Sequence, residues 1–168
     1  MSLELDEVRL AFAERHWRFD IALAIDGVHA LLGRSGSGKS TLLNLIGGYL
    51  EPDAGRIAWH GEPLTGLAPA ERPVTTLFQH DNLFAHLSVG DNVALGLDPS
   101  LRLTPEQRER VSASLADVEL AGYERRKPGS LSGGERQRVA LARCLSRNRP
   151  ILCSTSRSAR WTRTREPR

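Results

Sequence analysis

Cysteine is scarce in this sequence, and its scarcity excludes two classes of small protein. Cys144 and Cys153 are the only two cysteines among the 168 residues. Two thiols are too few for a disulfide framework or for a cysteine-rich zinc site. They are typical of thiols that stay reduced in a cytoplasm.

Long apolar runs are missing as well. No stretch of about 18 consecutive apolar residues occurs, so we expect no helix that spans a membrane. The opening MSLELDEVRL carries acidic side chains and lacks the apolar segment of a secretory signal. Hydrophobic residues make up 40% of the chain and charged residues 26%. These values are ordinary for a globular protein, and the length suffices for one domain with a core.

A net positive charge is absent from residues 1–150. Residues 151–168 contain five arginines and one glutamate, a net charge of +4, whereas the whole chain carries +3. Residues 1–150 therefore carry −1. A nucleic-acid-binding hypothesis would depend on the terminal arginines alone, and we expect no nucleic-acid partner.

A glycine-rich loop after residue 32 has the spacing of a phosphate-binding loop. The apolar run 28–32 predicts a buried strand. It is followed by the Walker A pattern, GRSGSGKS, and then by TLLNLI, which predicts a helix. Strand, loop and helix in this order are the context that the motif requires.

The residues of this loop have the chemistry to hold a nucleoside triphosphate. Its glycines let backbone N–H groups converge on the β-phosphate at a helix N-terminus. Lys39 is expected to reach the β- and γ-phosphates, Ser40 to bind Mg²⁺ and Thr41 to contact the α-phosphate. The predicted ATP-binding residues of the loop are Gly33, Arg34, Ser35, Gly36, Ser37, Gly38, Lys39, Ser40 and Thr41. On this motif alone GTPases, kinases and transport ATPases all remain open.

The stretch LSGGERQRVALARCL predicts a second anion site. Ser132 can cap a helix whose first turn contains Gly133 and Gly134, and apolar residues at 139, 142 and 145 recur on one face. Two glycines in a first turn cost helix stability. Close approach of a phosphate to the bare N–H groups would explain them. A purely structural cap is the alternative.

Together the two motifs resemble the ATP-binding subunits of ABC transporters. The family's signature motif is matched by Leu131, Ser132, Gly133, Gly134 and Glu135, and the glutamine that commonly follows it by Gln137. The resemblance implies a homodimer, with ATP and Mg²⁺ between the Walker A loop of one copy and the signature helix of the other. It also implies an α/β fold, a RecA-like P-loop NTPase core with an antiparallel β subdomain and an α-helical subdomain, incomplete at the C-terminus.

Two further residues match positions that contact nucleotide in the family. Gln79, in TTLFQHDNLF, matches the Q-loop glutamine, which contacts Mg²⁺ and the attacking water and senses the membrane partner. Phe12, upstream of the loop, lies where the family places an aromatic ring that stacks on adenine. A core position in the first strand would explain Phe12 equally.

The segment 73–103 and the residues around the signature resemble importer ATPases. Over residues 3–152 the resemblance favours the thiamine importers, with iron, sulfate and polyamine importers as alternatives. It implies a membrane permease as partner, a periplasmic substrate-binding protein as an indirect partner, and a place at the cytoplasmic face of the bacterial inner membrane. A soluble ABC ATPase of DNA repair is an alternative outside the importers.

The sequence between the motifs predicts a hairpin and a helical subdomain. The stretch EPDAGRIAWHGEPLTGL predicts two strands, with Gly55 and Gly61 as turn residues. Residues about 80–135 are expected to form the helical subdomain that docks on the permease. Within it, residues 81–84 are expected at the docking surface, and a plain solvated loop would explain them equally.

The clearest helix of this subdomain starts in LTPEQRERVSASLADVEL. Thr104 is the predicted N-cap, Pro105 occupies the first helical position and Gln107 completes a capping box. Apolar residues at 111, 115 and 118 form one stripe, which we expect to be buried.

After Leu152 the sequence departs from the family. The family continues RPILLLDEPFSALDP, which contains the Walker B aspartate, the catalytic glutamate and the D-loop, whereas this chain has RPILCSTSRSARWTR. Codons for residues 153–163, taken in the neighbouring reading frame, can spell LDEPFSALDP, and the single codon of Trp161 fits. We therefore expect that one base is missing after Leu152, either in the gene itself or in its sequencing. A naturally divergent tail is the alternative.

This hypothesis divides the chain into two parts. Residues 1–152 would be a partial nucleotide-binding domain, and residues 153–168 a basic tail with too few apolar groups to become ordered. The chain keeps the phosphate loop, Gln79 and the signature, but it lacks the Walker B carboxylates and the later switch histidine. We expect weak or no ATP hydrolysis, and poor solubility because the strand at 28–32 would have an unpaired edge.

Overall fold

The computed structural model describes residues 2–12, 14–78 and 83–154, apart from the side chain of Phe12. Its N-terminal part is an antiparallel sheet of four strands, which are in chain order β1 (Ser2–Phe12), β2 (Arg15–Ala24), β3 (Ala54–Trp59) and β4 (Glu62–Pro63). In space the order is β2-β1-β3-β4, so β1 lies between its two partners. This sheet agrees with the antiparallel β subdomain that the family resemblance implies.

The turn of the β3–β4 hairpin contains Gly61, one of the two glycines that the sequence predicts as turn residues. His60 and Gly61 both have positive φ, 53° and 81°, which is typical of a two-residue turn between antiparallel strands. Gly55 was expected in a turn, and this prediction is wrong. It lies inside β3 with φ of 84°, opposite a register shift in β1, where a β-carbon would collide with the backbone oxygens of Asp6 and Glu7.

The structure contains a second, parallel sheet of two strands within its described part. Here β5 (Val74–Leu77) pairs with β6 (Ile151–Ser154), from Val74 opposite Ile151 to Leu77 opposite Ser154. Ile151 and Cys153 are buried because alternate side chains of β6 face the core. The prediction of a disordered tail from residue 153 is therefore wrong for Cys153 and Ser154, and residues 155–168 lie outside the described residues.

The predicted buried strand at 28–32 does not form. These residues have no regular secondary structure, and Val28 and Leu32 are 79% and 88% exposed. A strand needs a hydrogen-bonded neighbour as well as apolar side chains. Among the described residues, no strand pairs with this segment.

Four α-helices complete the described part of the chain: α1 (Lys39–Gly47), α2 (Val89–Ala94), α3 (Pro105–Asp117) and α4 (Gly133–Ser146). Helix α1 packs with the strands in one apolar cluster that includes Leu5, Leu45 and Ile57. Helices α2, α3 and α4 enclose a second cluster. No described helix is both long and apolar enough to cross a bilayer.

The predicted start and apolar stripe of α3 are confirmed. The Thr104 hydroxyl accepts a hydrogen bond from the N–H of Gln107 at 3.2 Å, and the Gln107 side chain accepts one from the N–H of Thr104 at 2.9 Å. Val111, Leu115 and Val118 are buried as expected. The stripe predicted for α4 is only partly correct, because positions 139 and 142 are buried while Leu145 is 38% exposed.

Candidate nucleotide-binding site

The glycine-rich loop leads directly into α1 and leaves the start of this helix uncapped. Gly36 and Gly38 have φ of 81° and 89°, a region that side chains disfavour. Gly38 is the N-cap residue, and among the described residues no side chain accepts a hydrogen bond from the first turn. The first N–H groups of a helix have no intrahelical acceptor. The loop therefore presents free donors and the positive end of the helix dipole.

Lys39 lies folded over this loop. Its Nζ donates hydrogen bonds to the carbonyl oxygens of Gly33 and Arg34, at 2.7 and 2.8 Å, and to the Oγ of Ser37 at 3.3 Å. An ammonium group has three donors, so the loop satisfies all of them. A phosphate oxygen could replace one of these acceptors while the others keep the charge in place. Ser40 is exposed in the first turn of α1, next to this charge.

Strand β2 lies against the same loop, a contact that the sequence analysis did not find. A β-carbon built on Gly38 would lie 2.6 Å from Cδ1 and 2.8 Å from Nε1 of Trp17, and one on Gly36 would lie 3.6 Å from Nη1 of Arg15. The alternation of β2 could have predicted that these two side chains share a face. It could not have shown what that face covers.

The far end of α1 is held by a buried arginine, Arg72, which the sequence analysis also missed. Its Nη1 donates to the carbonyl oxygen of Leu45 at 2.6 Å, and its Nη2 donates to the carboxylate of Glu51 at 2.9 Å. Burial lowers the pKa of Arg72, while the Glu51 carboxylate opposes that shift. The last carbonyl oxygens of a helix lack intrahelical donors, so the hydrogen bond from Arg72 holds the C-terminal end of α1 in place.

The signature sequence forms the start of α4, with the predicted cap. Ser132 is the N-cap: its Oγ accepts from the N–H of Glu135 at 3.2 Å, and the Glu135 carboxylate accepts from the N–H of Ser132 at 2.7 Å. The hydrogen bond from the Ser132 N–H lowers the pKa of Glu135. Leu131 is buried, whereas Ser132 and Gln137 are exposed.

The two glycines of the signature are not required by packing within the described part of the chain. Apart from the adjacent residues and the backbone of α4 itself, no described atom lies within 4 Å of a β-carbon built on Gly134, and at Gly133 the nearest is Nη2 of Arg136 at 3.8 Å. Neither glycine has positive φ. Packing within this part of the chain therefore does not account for the two glycines, and an anion site at the start of α4 stays a prediction.

Two predicted site residues are not tested by the structure. Gln79 and the neighbouring 80–82 lie outside the described residues. The backbone of Phe12 ends β1 opposite Arg15, but its side chain also lies outside them. The structure thus brings together the loop residues from Gly33 to Thr41 and places the signature at a separate helix start.

The chain is similar to proteins of one family along most of its length. A family model described as ABC transporter matches residues 18–154. The thiamine import ATP-binding proteins ThiQ of Brucella suis and Vibrio cholerae are 51% and 48% identical to it, each over 89% of this chain. The chain spans 62% and 63% of the length of these two relatives.

Solved structures show the same fold. The ATP-binding cassette MJ0796, in a dimeric post-hydrolysis state bound to ADP and Pi, matches 90% of this chain and 72% of its own with 31% identity and a TM-score of 0.71. The ADP conformation of MJ1267, an ATP-binding cassette of an ABC transporter, matches 90% of this chain and 67% of its own with 26% identity and a TM-score of 0.80. The predicted α/β P-loop NTPase fold is confirmed.

The similarity to this family includes both predicted anion sites. They are the glycine loop with its lysine at the start of α1 and the serine-capped glycines at the start of α4. Both lie within the residues that the family model matches. On this evidence the chain belongs to the ABC transporter family.

Proposed function

We propose that this chain binds ATP with Mg²⁺ as the ATP-binding subunit of a bacterial importer whose substrate is thiamine. The observation that carries the proposal is the loop itself, where Lys39 is held over an uncapped helix start by two carbonyls. The names of the relatives support the substrate, because both ThiQ proteins are described as thiamine import ATP-binding proteins.

Different residues of the loop would bind the phosphate groups and the Mg²⁺ ion of the triphosphate. The N–H groups from Gly36 to Ser40 would donate to phosphate oxygens, and Lys39 would neutralise part of their charge. Ser40 and Gln79 would hold Mg²⁺, since hydroxyl and amide oxygens suit this hard cation. When bound, Mg²⁺ would offset the charge of the phosphates during transfer.

The signature of a second copy would complete each site. The supporting observation is the open space around Gly134, which leaves room for a ligand to approach the start of α4. A homodimer would use the two anion sites of each chain together. The membrane permease would bind near residues 81–84 at the cytoplasmic face of the inner membrane, and a periplasmic binding protein would supply the substrate from the other side.

Hydrolysis by this chain is proposed to be weak. Where the family has the Walker B carboxylates, this chain has Thr155 and Ser156, and the strand that leads to them, β6, ends in Cys153 and Ser154. None of these four residues carries a negative charge near neutral pH. Burial raises the pKa of Cys153 to about 11, so its thiol is neutral there. Without a carboxylate, nothing in β6 would polarise an attacking water or hold Mg²⁺.

The chain offers a well-matched test of the ATP site because it contains only two lysines, Lys39 and Lys127. Lys127 donates to the carbonyl oxygen of His86, in the helical part of the molecule. We expect Lys39→Ala to weaken the binding of a fluorescent ATP analogue at least about tenfold, and Lys127→Ala to leave it unchanged. Equal affinities of the two variants would contradict the assignment of the loop.

A further inference from the structure

The face of β2 that meets the phosphate loop is formed by alternate residues. Arg15, Trp17 and Phe19 lie on the same side of the strand, since side chains alternate along it. Trp17 and Phe19 are half-buried and pack against the apolar cluster of the sheet and α1. The indole of Trp17 also reaches past this cluster to the loop.

The closest approach is at Gly38, where the loop becomes a helix. Both Cδ1 and Nε1 of Trp17 would lie under 3 Å from a β-carbon on Gly38, and Cζ of Phe19 would lie at 3.4 Å. No side chain fits between the indole and the backbone. Gly38 is therefore required twice, by its φ of 89° and by the ring that covers its α-carbon.

We propose that Trp17 is a positioning residue for the phosphate loop. By packing on Gly38 it fixes the residue from which the first free N–H groups of α1 extend, and so sets their direction toward a bound phosphate. Small displacements of such donors weaken phosphate binding because hydrogen bonds depend steeply on geometry. The expected effect on nucleotide binding rests on the proposed function. The expected effect of Trp17 on the position of the loop does not depend on it.

A purely structural role for Trp17 makes a different prediction, and Trp59 provides the comparison. Trp59 is also half-buried and packs against the same cluster, but it lies on β3 with its ring 4.4 Å from that of His60. If Trp17 acted only through the core, truncation of either tryptophan would lower stability and leave the loop equally affected.

The first experiment measures hydrogen–deuterium exchange without nucleotide in the full chain, in a peptide that covers residues 33–47. The hydrogen-bonded amides of Ser37, Leu42 and the later residues of α1 report on the packing of Gly38. We expect Trp17→Ala to accelerate exchange in this peptide severalfold, Trp17→Phe to restore the slow rate because a ring again covers Gly38, and Trp59→Ala to leave the peptide unchanged. If Trp17→Ala leaves the peptide at the wild-type rate, or if Trp59→Ala accelerates it as much, the proposal is overturned.

The second experiment measures the affinity for a fluorescent ATP analogue in the same variants. Trp17→Ala is expected to raise the Kd at least about fivefold, with rescue by Trp17→Phe and no change in Trp59→Ala at a comparable loss of thermal stability. If exchange of the peptide depends on Trp17 but the chain binds no nucleotide, the proposed function is refuted and the positioning role of Trp17 is still supported. Wild-type affinity in Trp17→Ala would overturn the positioning role alone.

Discussion

At the scale of single residues, we expect Arg72 to have a large effect on stability. It is fully buried and its guanidinium donates to Leu45, Ile46, Leu67 and Glu51. Arg72→Met should lower the free energy of unfolding by about 3 kcal/mol, because it leaves buried carbonyl oxygens at the end of α1 without donors. Urea unfolding monitored by circular dichroism would measure this loss.

The exposed Arg149, which donates to the carbonyl oxygen of Ala70 at 3.0 Å, provides the control for that experiment. Arg149→Met should change the free energy of unfolding by less than about 0.5 kcal/mol, since surface contacts contribute little. Similar losses for the two variants would show that the bonds made by Arg72 do not hold α1.

Glu135 gives the molecule a predictable response to acid. The N–H and hydroxyl of Ser132 lower the pKa of Glu135 below its ordinary value of 4.5. The carboxylate therefore stabilises the start of α4 fully above that value, and the stabilisation is lost as the pH falls through the lowered pKa. Glu135→Gln should be less thermally stable than wild type at pH 7, and the difference should shrink below pH 4. A difference that stays constant with pH would contradict the assignment.

At the scale of helices and strands, features determined by residues close together in sequence were predicted better than contacts between distant segments. The starts of α3 and α4 follow from residues three positions apart, Thr104 with Gln107 and Ser132 with Glu135, and both capping boxes are present. The prediction of a strand at 28–32 was wrong because a strand needs a hydrogen-bonded neighbouring strand, which an apolar run cannot specify. The contacts of Trp17 and Arg72 join segments far apart in sequence, so no periodicity could reveal them.

The short strand β6 can be tested through its cysteine. Burial raises the pKa of both Cys144 and Cys153 to about 11, so little of either thiol is ionised at pH 8. We expect iodoacetamide to leave both unmodified in the native chain and to modify both in urea, as followed by peptide mass spectrometry. The thiol introduced by Ser112→Cys, on the exposed side of α3, is the control and should react quickly. Rapid modification of Cys153 in the native chain would mean that β6 does not pair with β5.

At the scale of the whole molecule, the proposal of weak ATP hydrolysis depends on the residues after Leu152. The frame hypothesis predicts that the codons of residues 153–163 spell LDEPFSALDP in the neighbouring frame, which the nucleotide sequence of the gene would show directly. Restoring one base should raise ATP hydrolysis at least about a hundredfold, because a positioned carboxylate then polarises the attacking water. Codons that spell something else would refute the hypothesis, and an unchanged rate would refute the role given to the carboxylates.

The proposed division of each ATP site between two chains makes the sharpest prediction about assembly. If Lys39 of one copy and Ser132 of the other hold the same ATP, a mixed dimer of Lys39→Ala with Ser132→Arg places both changes in one site and leaves the other site intact. A mixed dimer of wild type with a chain that carries both changes has one change in each site and no intact site. Mixed dimers isolated through two affinity tags in the presence of radiolabelled ATP and Mg²⁺ should therefore retain a single ATP in the first case and none in the second. Were each chain to bind ATP by itself, the two mixtures would retain nucleotide according to Lys39 alone, and the signature would have no part in the site.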